Sequence, residues 1–165
     1  PRPDDGGSTM DKHRQTINTR IGSITVSLDK TIRFPRGLIG FESLREFALV
    51  EFKPGSPFHF LQSMEMPGMG MMLADPFSFL PGYEIRLASV EERILRIRSV
   101  SDLFILVSVT VPKGDPEGCT LNLTGPICVN VQERLGLQSP QTDLPYPSRV
   151  LLRDLDGGDR RLANS

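Results

Sequence analysis

Glycine and proline break this chain into short apolar segments, and that punctuation limits its possible folds more than any other feature. Candidate strands are separated by Gly22-Ser23, by Lys53-Pro54-Gly55-Ser56-Pro57, by Pro112 with Lys113–Gly118, and by Gly125-Pro126. Proline lacks a backbone donor and glycine admits dihedral angles closed to other residues, so neither belongs inside a long helix or a central strand. The 15 glycines and 14 prolines among 165 residues, about 18% of the chain, exceed the roughly 12% of ordinary proteins. A helical bundle is thereby disfavoured, and a domain of many short strands is expected.

The strands can be placed between the breaks. Thr16–Ile21 and Ile24–Leu28 flank Gly22-Ser23 as a hairpin, and the alternation of Ile24, Val26 and Leu28 buries one face. Phe47–Phe52 and Phe58–Met64 follow. Leu103–Val111 is the strongest strand, and Cys119–Gln132 runs back beside it. In that return strand Leu121 and Leu123 face one way, with Thr120, Asn122 and Thr124 on the other. Gly125-Pro126 interrupts its ladder, so a bulge or corner is expected there. Helical signals are few. Ser89 and Glu92 have capping-box spacing, Leu87, Val90, Ile94 and Ile97 form an apolar stripe, and Glu92 with Arg96 makes an i,i+4 pair. Asp75-Pro76 offers a second start, an acidic cap followed by proline at the first helical position. The expected fold is mainly β: an antiparallel barrel-like or compact sandwich domain with one or two short helices. Residues 16–152 form this single domain, between a disordered leader (1–15) and a disordered tail (153–165).

Several classes of function are disfavoured. With 19 basic and 20 acidic residues the net charge is −1, which supplies no cationic face for a phosphate backbone. No apolar run approaches the 18 or so residues of a membrane span, and the first residues lack the apolar core of a secretion signal. A cytoplasmic protein without membrane or direct nucleic-acid contact is expected. His13 and His59 have no partner at metal-ligand spacing, and Cys119 and Cys128 read as buried small fillers. His59 is expected to point outward. No GxSxG, GxGxxG or P-loop pattern occurs, so no catalytic residue, cofactor or metal site is assigned. The remaining anomaly is methionine: five of six fall within Met64–Met72. Met71 and Met72 fit a core strand with Leu73. Met66 and Met69, around Pro67-Gly68, are expected to be exposed on a surface able to repack around partners.

The order of the blocks is itself informative. Ile17–Gly22, Phe34-Pro35-Arg36-Gly37-Leu38-Ile39-Gly40-Phe41-Glu42, Pro57–Ser63, Asp75-Pro76, Pro81-Gly82-Tyr83, Val109–Pro112, Thr120–Asn130 and Tyr146 with Arg149 succeed one another. Together they resemble the flagellar assembly factor FliW family, from Ile17 to Leu152. Phe60 stands where that family commonly has tryptophan, Gly125 where it has alanine, and Cys128 where it has a β-branched residue. The resemblance implies a non-enzymatic partner switch that is monomeric when free. It would bind the translational regulator CsrA, relieving repression of flagellin mRNA, and would also bind flagellin. An oligonucleotide-binding β-barrel module and a small hydrolase are the competing classes.

Candidate partner contacts are Gln62, Met66, Met69, Asp75, Asn122, Asn130, Tyr146 and Arg149. Two of them also have a structural reading: Gln62 satisfying a buried backbone group and Asp75 capping a helical turn. Asn122 and Asn130 lie in the polar register of the return strand, where exposure is expected. Phe34–Phe41 is read as a fixed corner whose two phenylalanines anchor in the core. Glu42, Glu65 and Asp75 are candidates for steering a positive partner, either in competition with RNA or by docking beside the RNA site. For flagellin, one expected mode is a helix laid in an apolar groove lined by Met66 and Met69.

Overall fold

The computed structural model describes residues 31–155, preceded by the backbone of two strands, β1 (Arg14–Thr19) and β2 (Gly22–Ser27). These two form an antiparallel hairpin in which Thr19 pairs with Gly22. Gly22 and Ser23, expected to form the turn, are therefore strand residues. Arg14 and Gln15, expected in the leader, are strand residues. The one-sided burial expected of Ile24, Val26 and Leu28, the rest of the leader and most of the tail lie outside the described residues.

The remaining strands are β3 (Ile32–Arg33), β4 (Glu46–Glu51), β5 (Phe58–Ser63), β6 (Gly70–Ala74), β7 (Leu103–Thr110), β8 (Thr120–Leu121), β9 (Ile127–Asn130), β10 (Leu135–Gln138) and β11 (Val150–Leu151). Seven of them close into a barrel in the order β7-β6-β5-β4-β3-β10-β9 and back to β7. The long β7 makes closure possible. Val107–Val109 pairs with β6 on one edge, while Leu103–Leu106 pairs with β9 on the other. Neighbours are antiparallel except β3 and β10, which are parallel at Arg33 and Leu135. The return segment splits into β8 and β9 around Gly125-Pro126, as that dipeptide requires, and β11 pairs with β8 outside the ring.

Apolar residues fill both sides of this wall. Inside lie Phe34, Leu38, Phe47, Leu61, Leu73, Leu106, Ile127 and Val129. On one outer face Leu80, Tyr83 and Leu155 cover Val107 and Leu121. Leu155 is fully buried, so the domain reaches beyond residue 152. On another outer face Leu95 meets Cys128 and Leu137. A strand buried on both faces shows a near-continuous apolar run, which is what Leu103–Val107 displays.

Among the described residues there is one α-helix, α1 (Ser89–Leu95). Its N-cap is Ala88, one residue before the expected Ser89, and the Ala88 N–H donates to Glu91 Oε1 at 2.9 Å. Tertiary contacts set this frame, because Ser139 Oγ also donates to the Glu91 carboxylate (2.9 and 3.0 Å). Leu95 is the fully buried residue, whereas Val90 from the expected stripe is 41% exposed. Arg96 lies past the helix end at φ +56°, so its guanidinium meets Glu133 at 3.4 Å instead of pairing with Glu92. Asp75 does cap a single 3-10 turn, Pro76–Ser78, accepting from Phe77 N–H at 3.0 Å.

Candidate functional site

Two connections meet at one end of the barrel: residues 34–45, between β3 and β4, and residues 64–69, between β5 and β6. Gly37 (φ +65°) and Gly40 (φ +90°) turn the first of them, and a Cβ on Gly37 would lie 2.5 Å from the Glu42 carbonyl oxygen. Glycine is required there for both reasons. Phe34 and Leu38 point inward, with no more than 1% of either exposed. Phe41 was expected to anchor inside as well, but it is 42% exposed and Leu38 takes the anchoring place. Ile39 is 57% exposed. Two apolar side chains thus stand on a corner whose backbone is pinned by the Leu38–Phe41 bridge.

The methionine loop is held as firmly. Ser63 Oγ accepts from the N–H groups of Glu65 (3.1 Å) and Met66 (2.9 Å). Buried Gln62 donates from Nε2 to the carbonyls of Ser63 (2.9 Å) and Pro67 (3.0 Å). Met66 stands out at the tip, 49% exposed. Met69, also expected to be exposed, is buried beneath the loop and joins the barrel core. The physical reason is local: the Met69 N–H donates to the Met66 carbonyl at 2.9 Å, which turns the chain back into the mouth.

Hydrogen bonds join the two connections. Glu65 Oε1 accepts from the N–H groups of Arg45 (2.7 Å) and Glu46 (3.0 Å), and Glu42 Oε2 accepts from Gly40 N–H (3.0 Å). Ile39 N–H donates to Gln138 Oε1, and Gln138 Nε2 donates to the Gly125 carbonyl, both at 3.0 Å, which ties in the Gly125-Pro126 bend. The backbone donors hold the Glu42 and Glu65 carboxyls below the ordinary carboxylate range, so both are ionised at neutral pH. The result is a pinned surface with three exposed apolar side chains, on which the Glu42 and Glu65 carboxylates stand among the exposed Arg36 and Arg45. Such a surface suits a protein partner that is apolar and brings basic groups to the two carboxylates.

A pH prediction follows. A depressed carboxyl stabilises its contacts above its unfolded pKa and loses them as pH falls through the folded value. The amides of Arg45 and Glu46 are therefore expected to lose exchange protection as pH drops below 4.5, the ordinary glutamate value. Glu65→Gln should abolish that pH dependence, read by amide hydrogen exchange.

The other sequence candidates are dispersed. Asp75 follows β6 at the far end of that strand, where it caps the turn. Asn122 Oδ1 accepts from the Thr124 N–H and hydroxyl in the bend. Asn130, expected to be exposed, is 1% exposed and donates to the carbonyls of Leu95 (2.7 Å) and Arg96 (3.2 Å). Tyr146 packs on Tyr83 at 4.9 Å, and its hydroxyl accepts from Glu84 N–H and donates to the Gly82 carbonyl. Arg149 is exposed. Of the eight, Met66 and Met69 share one loop and Gln62, on β5, bonds to it, with Met66 alone of the three at the surface. Ile39 and Phe41 were missed, although apolar residues between and beside turn glycines were a signal for them.

His59 turns onto Phe104 (5.5 Å, edge to face) instead of pointing outward. Among the described residues no group of His, Cys, Asp and Glu is arranged to hold a metal ion. Nor is any described helix long and apolar enough to cross a membrane. Cys128 is fully buried, and burial pushes its thiol up to about 12. Cys119 is half-buried, its Sγ 2.9 Å from the Pro116 carbonyl, and so is less of a filler than expected. Maleimide is expected to label Cys119 in the native protein and Cys128 only after unfolding, as read by peptide mass spectrometry.

A family model described as "FliW protein" matches residues 15–152. "Flagellar assembly factor FliW" of Nitratidesulfovibrio vulgaris (strain Hildenborough) is 48% identical over 136 residues, covering 82% of this chain and 79% of that protein. The protein of the same name from Moorella thermoacetica is 33% identical over 135 residues, covering 82% and 85%. A solved structure, "Crystal structure of the flagellar assembly factor FliW", superposes with a TM-score of 0.77 at 34% identity, covering 84% of this chain and 96% of that one.

Proposed function

The chain belongs to the FliW family, and from that premise we propose that it serves flagellar assembly by reversible binding to proteins, without transforming a substrate. Its partners in this reading are the translational regulator CsrA, whose repression of flagellin mRNA it relieves, and flagellin. Flagellin that accumulates occupies the factor and frees the regulator, in the cytoplasm where both are made. The free chain is a monomer.

The observation that carries the reading is the pinned end bearing Ile39, Phe41 and Met66 beside ionised Glu42 and Glu65. The carboxylates steer a basic partner, and the apolar side chains supply area that water leaves on contact. Preorganisation by the Glu65 and Ser63 hydrogen bonds lowers the entropy lost on docking. Met66, unbranched and exposed, is suited to both a regulator surface and a flagellin helix. Met69 supports the loop from below, and Asp75 lies too far along β6 to share in the steering.

Calorimetric titration of the purified chain with CsrA tests this. Phe41→Ser with Ile39→Ser is expected to weaken binding by about tenfold, the order of a moderate hot spot. Replacing Glu42 and Glu65 with glutamine should slow association mainly at low salt. With RNA titrated in, affinity that falls without limit marks competition, and a plateau marks an allosteric docking site. A chain that binds neither protein, or that binds RNA directly, overturns the proposal.

A further inference from the structure

A second surface shares no residue with that end and carries three arginines against one glutamate. Beside α1 lies a cleft of about 540 Å³, lined by Ser89, Glu92, Arg93, Arg96, Ile97 and Arg98. All three arginines are exposed, and Ile97 is the half-buried apolar floor. Arg96 is engaged by Glu133. Among the described residues no carboxylate meets the guanidinium of Arg93 or of Arg98, since the Asp102 carboxylate is occupied by the backbone N–H groups of Arg98 and Ser99.

The backbone explains why Arg96 is set apart from the other two. Arg96 follows the helix at φ +56°, a left-handed position that glycine occupies without strain and an arginine does not. The surroundings impose the conformation, because Asn130 Nδ2 grips the carbonyls of both Leu95 and Arg96. The arginine held there keeps its guanidinium on Glu133 at the lip of the cleft, which leaves Arg93 and Arg98 as its unpaired cations among the described residues.

We propose that this cleft docks an acidic segment of a protein partner, with carboxylates on Arg93 and Arg98 and an apolar side chain on Ile97. A guanidinium fork matches a carboxylate with two parallel hydrogen bonds. A nucleic acid fits less well. Its closely spaced phosphates would meet Glu92 within the cleft, Glu133 beside it and the negative end of the helix dipole. Carboxylates on separate side chains can pass between those charges. The proposal does not depend on the identity of the partners named above.

Fluorescence anisotropy with a fluorescein-labelled Glu/Leu peptide tests it, with the Gln/Leu counterpart and a single-stranded RNA oligonucleotide as comparisons. The acidic peptide is expected to bind saturably and the neutral one not to bind. Arg93→Glu with Arg98→Glu should weaken binding at least about tenfold, while Lys53→Glu, on the β4–β5 turn, should not. Should the charge reversal disturb folding, as read by circular dichroism, Arg93→Gln with Arg98→Gln replaces it. Equal affinity for the neutral peptide, indifference to both arginine pairs, or RNA binding as tight and as dependent on Arg93 and Arg98 would each overturn the proposal.

Discussion

Phe34→Ala is expected to lower stability by about 3–5 kcal/mol, the range for deleting a buried aromatic ring from a close-packed core. Phe34 is fully buried and meets Phe47 edge to face, with ring centroids 5.2 Å apart. Its ring occupies the space over Gly136 on β10, where an added Cβ would overlap it. The closed ladder around this site limits collapse, so the cavity stays open and its full cost is felt. Domains are stable by only about 5–15 kcal/mol, and at roughly 2–4 °C per kcal/mol the melting temperature should fall by about 6–20 °C. Gly136→Ala alone should also destabilise, because the methyl and the ring compete for one volume. In the Phe34→Ala background the same methyl fills part of the cavity. A denaturant-unfolding cycle should therefore show the double variant to be more stable than the sum of the single changes. Additivity within about 0.5 kcal/mol would mean that the two positions do not share that space.

Asn130→Ala should cost about 2–4 kcal/mol, because one side chain satisfies four backbone groups. Nδ2 serves the carbonyls of Leu95 and Arg96, and Oδ1 accepts from the N–H groups of Gln132 (3.0 Å) and Glu133 (3.2 Å). Asn130 thereby fixes both the end of α1 and the turn between β9 and β10. Truncation is expected to lower the unfolding midpoint and to release exchange protection at Gln132 and Glu133 specifically. Asn130→Asp keeps the acceptor but sets a carboxylate oxygen against two carbonyls. Its folded pKa is then raised, so its deficit relative to the parent should narrow as pH falls and the acid regains a donor. A deficit that widens in acid would refute this geometry.

Asn130 also shows the limit of reading a linear pattern. Its place in a polar register marks it as exposed only while the strand is considered alone, and α1 covers that face. The same reason applies to Phe41 and Met69. The glycines at 37 and 40 and the Pro67-Gly68 dipeptide announce turns. Which residue of a turn points inward depends on the volume left by Phe34, Leu38 and Phe47. The candidate end of the barrel was half legible: Met66, Glu42 and Glu65 stood out as chemistry, but their assembly on one surface did not. It requires Glu65 to reach Arg45 and Glu46, and Ile39 to reach Gln138, 99 residues along the chain.

Short-range chemistry was readable without any structure. Proline and glycine end strands because they lack a donor or relax a dihedral, so the β4, β5 and β7 segments, the break at Gly125-Pro126 and the Asp75 cap all appear where residue types demand them. The order of the sequence blocks carried the family. Closure of the ring through both edges of β7, the parallel join of β3 to β10, the frame of α1 and the exposure of Ile39 and Phe41 were settled only in three dimensions. Local dihedral preferences act over a few residues, whereas burial and strand pairing depend on neighbours that only the closed barrel brings together.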